Sequence, residues 1–78
     1  MKITVLGTGC FGSAIAQIMT DNKNEVLLWT NDLEQIEEIN TNKSNKKYYP
    51  DFRFCQNVKA TDNLNDALNF SDIIIIAL

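Results

Sequence analysis

"ITVLGTGCFGSAIAQIM", residues 3–19, passes from an apolar, β-rich run through three glycines into residues with helical spacing. Ile3 to Leu6 are mostly β-branched or apolar and stop at Gly7, the pattern of a buried strand. From Phe11 onward, Ala14, Ile15, Ile18 and Met19 recur at helical intervals and predict one apolar face. Between the two lies Gly7-Thr8-Gly9-Cys10-Phe11-Gly12, with the spacing G-x-G-x-x-G. Alone, that spacing says little. Leaving a strand and opening a helix, it points to a dinucleotide-binding turn. Gly7 permits the tight exit from the strand, Gly9 lets backbone approach a pyrophosphate with no Cβ in the way, and Gly12 lets the helix pack closely on the strand. Ser13, Ala14 and Ala16 keep the next turn slim. Phosphates would meet backbone N–H groups and the positive end of the helix dipole, so no basic side chain is required. The plainer alternative is that the glycines serve helix–strand packing alone.

Outward from this turn the chain alternates. Asp21-Asn22-Lys23-Asn24 breaks the first helix, with Asn22 or Asn24 able to take the left-handed closing conformation. Val26 to Trp29 is a second strand. Asn31-Asp32-Leu33-Glu34 reads as a capping box, in which Asn31 accepts from the Glu34 N–H and the Glu34 side chain reaches back. Leu33, Ile36 and Ile39 then share an apolar face, and Glu34, Glu37 and Glu38 form a solvated one. Thr41 to Asn57 is a polar connection holding Pro50 and the aromatics Tyr48, Tyr49, Phe52 and Phe54. A connection this long without an element of its own is a candidate for ligand or partner contact; alternatively its aromatics pin it to the domain. Val58 to Thr61 is a third strand, and Asp62 or Asn63 caps a short helix whose inner face is Leu64, Ala67 and Leu68.

The last run, Ile73 to Leu78, has no alternation, so both its faces want cover, as in the centre of a parallel sheet. The order βαβαβαβ predicts an α/β fold, a doubly wound parallel sheet with strand order 3-2-1-4 and Leu78 at its carboxyl edge.

Composition bounds the rest. The chain has 78 residues, 45% hydrophobic and 22% charged, which allows at most one domain. A domain of this size buries only about 60% of the surface its unfolded chain exposes. A net charge of −3 argues against nucleic acid as a partner, and the one basic cluster, Lys43, Lys46 and Lys47, reads as solvated loop. Cys10 and Cys55 lie far apart and there is no histidine, so no metal site is expected. Met1-Lys2 opens directly into a strand-like run, which is not a signal peptide. The longest apolar run, Ile73 to Leu78, falls far short of the roughly 20 residues that span a bilayer. The expected location is therefore cytoplasmic, with no membrane partner.

The choice between NAD and NADP is usually made just past the second strand, where a carboxylate accepts from the ribose 2′-OH or an Arg meets a 2′-phosphate. Here stand Trp29-Thr30-Asn31-Asp32, with no basic residue and Asp32 as the one carboxylate in reach, which inclines the choice to NAD. Helix capping accounts for Asn31 and Asp32 equally well. Cys10, at a helix amino end, is either a thiol of lowered pKa or a small side chain lining the turn.

Taken together, "KITVLGTGCFGSAIA", "NEVLLWTND", "IEEINTNKSNKKYYP" and "NVKATDNLNDALNFSDIIIIAL" resemble the amino-terminal part of bacterial NAD(P)-dependent glycerol-3-phosphate dehydrogenase over essentially the whole chain. The Trp closing the second strand, and Glu-Ile-Asn followed by Tyr-x-Pro, separate that family from other Rossmann dehydrogenases. The resemblance implies that Cys10 and Phe11, between the second and third glycines, line the cofactor, as does Asn31; Asp32 and Tyr48 of the connection are further candidate cofactor-binding residues. The family commonly has Ser, an aromatic, and His or Arg at the first three of these places, so Cys10 and Asn31 depart from its pattern. Lys23 stands where the family usually ends the helix with Gly, which hands the cap to Asn22 or Asn24.

What the resemblance implies is reversible hydride transfer between NAD(P)H and dihydroxyacetone phosphate, giving sn-glycerol 3-phosphate for phospholipid synthesis. Residues 1–78 would form the first part of the Rossmann domain. The family's catalytic lysines and its helical substrate domain lie beyond this chain, and none of Lys2, Lys23, Lys43, Lys46, Lys47 or Lys59 matches them. A chain of these residues alone is expected to be inactive, with a homodimer left open as its assembly. Two other readings stand beside this one: another Rossmann dehydrogenase, against which Trp29 and Tyr48-Tyr49-Pro50 speak, and a non-catalytic nucleotide-binding fragment or gene remnant.

Overall fold

The computed structural model describes residues 1–21, 23–47, 49–54 and 57–77, and for residues 10, 11, 20, 21 and 49–53 it describes the backbone alone. Its elements are β1 (Lys2–Leu6), α1 (Cys10–Asp21), β2 (Glu25–Trp29), α2 (Leu33–Asn42), β3 (Ser44–Asn45), β4 (Tyr49–Arg53), β5 (Val58–Thr61), α3 (Leu64–Phe70) and β6 (Ile73–Ile76). The main sheet is parallel, in the order β5-β2-β1-β6. Counted within that sheet, this is the expected 3-2-1-4. The chain numbering runs higher because the polar connection contains two strands of its own: β3 and β4 pair antiparallel, where the sequence predicts no element. Leu78 lies outside the described residues.

Alternation along the strands separates two layers. Ile3 and Val5 of β1, Val26 and Leu28 of β2, and Val58 and Ala60 of β5 pack with Ala16 of α1, Ile39 of α2 and Phe54 in one buried core. Thr4, on the opposite face of β1, is also fully buried, and its hydroxyl donates to the Ala67 carbonyl of α3 (2.7 Å). α1 and α2 therefore cover one face and α3 the other. Phe54 does pin the end of the connection to the core, as one of the two sequence readings holds.

Several faces differ from the sequence expectation. α1 meets the sheet with Gly12, Ser13 and Ala16, all buried, while Ile18 is 56% exposed. Ile15 and Met19 pack against the core as expected, while at position 12 a Cβ would already collide with the Gly7 carbonyl. In α2, Leu33 is exposed and Gln35 is buried, and Glu38 is half-buried, accepting from Ser44 Oγ (2.7 Å) and from the Lys46 N–H (3.0 Å). In α3 only Ala67 is buried, with Leu64 and Leu68 exposed. Ile73, Ile74 and Ile76 are exposed as well, because β6 pairs with β1 alone and lies at the sheet edge among the described residues.

The helix ends correct the capping expectations. Asp32, not Asn31, caps α2, accepting from the N–H groups of Glu34 (3.1 Å) and Gln35 (3.3 Å). Asn63 caps α3, as one of the two predicted candidates, by accepting from Asp66 (3.0 Å). After α1 the left-handed residue is Lys23 itself (φ 66°), while Asn24 contributes two hydrogen bonds to the Met19 carbonyl, from its backbone (3.2 Å) and its side chain (3.0 Å). Asn22 lies outside the described residues. Lys43, capping α2, is also left-handed (φ 55°), and its Nζ donates to the Val58 carbonyl (2.6 Å). Burial, together with the like charge of Lys59, holds the Lys43 ammonium below the ordinary lysine value.

A side chain in this conformation is strained by the approach of its Cβ to the backbone, and glycine relieves that strain. Lys23→Gly is expected to stabilise the chain by about 1 kcal/mol, seen as a rise in thermal midpoint of about 4–8 °C by circular dichroism. Lys43→Gly should gain less, because it also removes the bond from Nζ to Val58.

Candidate functional site

The parallel strands β1 and β2 end side by side, at Leu6 and Trp29, and the amino ends of α1 and α2 begin just beyond them. The cleft between these ends has a volume of about 430 Å³. It lies at the carboxyl edge of the sheet, where the order reverses between β1 and β6, the position at which open α/β sheets bind ligands.

Its floor is the glycine turn. The Gly7 N–H donates to the Trp29 carbonyl (2.9 Å), which ties the start of the turn to β2. Gly7 has φ 124°, a conformation that L side chains rarely adopt, so the exit from β1 requires glycine. The Gly9 carbonyl accepts from the Ser13 N–H (2.9 Å), closing the first turn of α1. A Cβ on Gly12 would collide with the Gly7 carbonyl oxygen, lie 2.9 Å from the Gly7 carbonyl carbon and touch the Ala77 Cβ at 3.5 Å. The first helical turn thus rests directly on the strand exit. Its leading N–H groups have no partner within the helix, as at any helix start.

Thr8 is gripped from two sides. Its hydroxyl donates to Gln35 Oε1 of α2, which explains why a polar residue is buried on that helix. Its carbonyl accepts from Ser13 Oγ (3.0 Å) and from Asn45 Nδ2 (2.9 Å).

The walls come from β2, α2 and the connection. Trp29 lines one side, its indole N–H donating to the Asp62 carbonyl (3.0 Å). Thr30, Asn31 and Asp32 follow it around the rim. The Asp32 carboxylate is engaged by the two N–H groups at the start of α2, so the capping residue and the acidic rim residue are one side chain. Lys47 completes the rim from the connection, setting a cation in the same cleft as Asp32.

Of the residues singled out in the sequence, Gly7, Gly9, Asn31 and Asp32 line this cleft and Gly12 lies beneath it. Cys10 and Phe11 open α1, and their side chains are not among those described. Tyr48 lies outside the described residues. Sequence reasoning did not single out Thr8, Gln35 or Ala77 as site residues, and it placed Lys47 in a solvated loop and found no basic residue at the rim. For Lys47 the available signal was the length of the connection, which is long enough to fold back onto the strand ends. Among the described residues no group of three His, Cys, Asp or Glu side chains could hold a metal ion, and no helix is long and apolar enough to cross a membrane.

Residues 2–78 match the family model described as "NAD-dependent glycerol-3-phosphate dehydrogenase N-terminus". The chain belongs to this family. Among its relatives, a glycerol-3-phosphate dehydrogenase [NAD(P)+] of Streptococcus agalactiae is 48% identical over 77 residues, 99% of this chain and 23% of that protein. The Bacillus subtilis enzyme of the same name is 38% identical, again over 99% of this chain and 22% of its own length. The crystal structure of glycerol-3-phosphate dehydrogenase from Coxiella burnetii superimposes with a TM-score of 0.87 at 28% identity, covering 96% of this chain and 23% of that one. The chain therefore spans about a quarter of the length of the dehydrogenases it matches, and it has the parallel α/β architecture of their amino-terminal parts.

Gly12→Ala tests the close approach at the base of the cleft. The colliding atoms are backbone, so they cannot swing aside. Urea denaturation is expected to show a loss of about 1–3 kcal/mol or more. Asp32→Ala removes the α2 cap and is expected to cost about 1 kcal/mol in the same assay.

Proposed function

We propose that this chain holds the adenosine and pyrophosphate part of NAD or NADP in the cleft at the ends of β1 and β2. In this reading it serves the reduction of dihydroxyacetone phosphate to sn-glycerol 3-phosphate, a phospholipid precursor, in the cytoplasm. The observation behind it is the collision that any Cβ at Gly12 would make with Gly7. That contact seats a helix start against a strand exit and leaves a backbone-lined floor open to an anion.

The parts divide as follows. Gly7 and Gly9 form the floor for the pyrophosphate, Gly12 seats it, and Cys10 and Phe11 stand at the start of α1 beside it. Asn31 and Asp32 face the adenosine ribose, with Asp32 accepting from a 2′-OH, and Tyr48, outside the described residues, is a further candidate for cofactor contact. Lys47 supplies the positive charge a 2′-phosphate would need, a role the segment after β2 does not fill. One rim thus serves both cofactors, in keeping with the NAD(P)+ in the relatives' names. The cofactor, when bound, supplies or accepts the hydride. The 78 residues orient it without turning over substrate, because the catalytic lysines and the substrate's phosphate site belong to regions that the resemblance places beyond them.

Titration of the chain with NADH and NADPH, read by quenching of the single Trp29 on the cleft wall, is expected to show saturable binding of both. Gly9→Val should abolish it by filling the floor. Lys47→Ala should weaken NADPH by about two- to fivefold, the scale of an exposed ion pair, and leave NADH unchanged. Absence of binding by a folded chain would instead mean that the glycines serve packing alone.

A further inference from the structure

Asn45 is only 1% exposed, yet it is an amide at the end of a two-residue strand in a polar connection. Its Nδ2 donates to the Thr8 carbonyl (2.9 Å) and to Ser13 Oγ (3.0 Å), at sequence separations of 37 and 32 residues. The amide can face only one way. A carbonyl has no proton to give, so Nδ2 and not Oδ1 must point at Thr8. Oδ1 is then left buried without a hydrogen-bond partner. An unpaired buried acceptor is a cost that an apolar residue of the same volume would avoid. Filling space does not explain the amide; its two donors do.

The Thr8 carbonyl and the Gly9 N–H belong to one planar trans peptide, in which C=O and N–H point in opposite directions. Fixing the carbonyl toward Ser13 and Asn45 therefore aims the Gly9 N–H the other way, and Gly9 is one of the residues that line the cleft. Hydrogen bonds to the carbonyl also polarise the peptide and strengthen that N–H as a donor. Asn45 is itself held in place by Glu38, which accepts from Ser44 Oγ (2.7 Å) and the Lys46 N–H (3.0 Å), the residues on either side of it.

We propose that Asn45 is a positioning residue for anion binding: by clamping the Thr8 carbonyl it orients the Gly9 N–H toward the diphosphate of a bound dinucleotide. This deepens the function proposed above and rests on it. Asn45 touches the turn and not the ligand, so its effect is confined to ligands that place phosphate on the turn.

The test uses ADP-ribose, which has the diphosphate, and adenosine, which lacks it, each titrated into the 78-residue chain and followed by NMR chemical shifts well below the melting temperature. Asn45→Leu keeps the volume and removes both donors. It should raise the ADP-ribose dissociation constant about tenfold and leave that of adenosine within about twofold. Asn45→Asp, of the same shape, replaces the donors with a carboxylate facing the Thr8 carbonyl; it should weaken ADP-ribose further, and it takes over the test if the leucine variant does not fold. A purely structural role would lower the melting temperature, or weaken both ligands by one factor, without separating them; either result overturns the proposal, as does wild-type affinity for ADP-ribose in the variants. If the folded wild-type chain binds no ADP-ribose, the dinucleotide function fails and this inference with it.

Discussion

No side chain fits between the first turn of α1 and the carbonyl of Gly7. That one contact governs much of the molecule. It sets the distance of α1 from the sheet at its first turn, where Gly12, Ser13 and Ala16 are buried, with Ile15 and Met19 packing on the core beside them. It also brings Ser13 near enough for its hydroxyl to reach the Thr8 carbonyl. A larger residue at position 12 would lift the helix and open the turn at the same time, so packing and ligand geometry are not separable here.

Around this contact the chain builds a polar layer inside an otherwise apolar core. Gln35 from α2 and Asn45 from β3 both converge on Thr8, and Glu38 ties β3 back to α2. Such a network is stable only when its members are satisfied, and the one open valence among these groups is Asn45 Oδ1. Three segments distant in sequence thus meet at a single threonine. The glycine turn is held in shape by side chains outside the glycine motif.

The parts of this arrangement that were legible in the sequence are the local ones. The strand, the glycine spacing and the helix that follows are encoded within seventeen consecutive residues, and the sheet order follows from the alternation of elements. Capping was legible to within a residue: Asn31 and Asp32 are both good caps, and only the extended backbone at Asp32 (φ −89°, ψ 101°) decides between them. Burial on α2 was misjudged because apolar periodicity assigns Leu33 to the core, whereas the inner face of that turn looks onto Thr8 and needs Gln35. The antiparallel pair in the connection was missed because its anchors are long-range: Phe54 in the main core, Glu38 on α2 and Asn45 beneath the turn. Nothing within residues 41–57 alone shows where they are held. For Lys47 the length of the connection permits a place on the rim, but the path of that pair decides it.

The position of β1 in the sheet has a consequence for how the protein is made. β1 precedes both of its sheet neighbours in the chain, β2 closely and β6 distantly, and Ile3 is paired with Ile73. A pairing of such sequence separation forms slowly, because the loop between must be closed before the contact is rewarded. On the ribosome, β1 can join β2 early, but its other edge waits until β6 has emerged. Gly7 directly follows β1, and Ala77, whose N–H donates to the Leu6 carbonyl (2.9 Å), directly follows β6. The glycine turn therefore reaches its final shape only after a strand far downstream of it has been made.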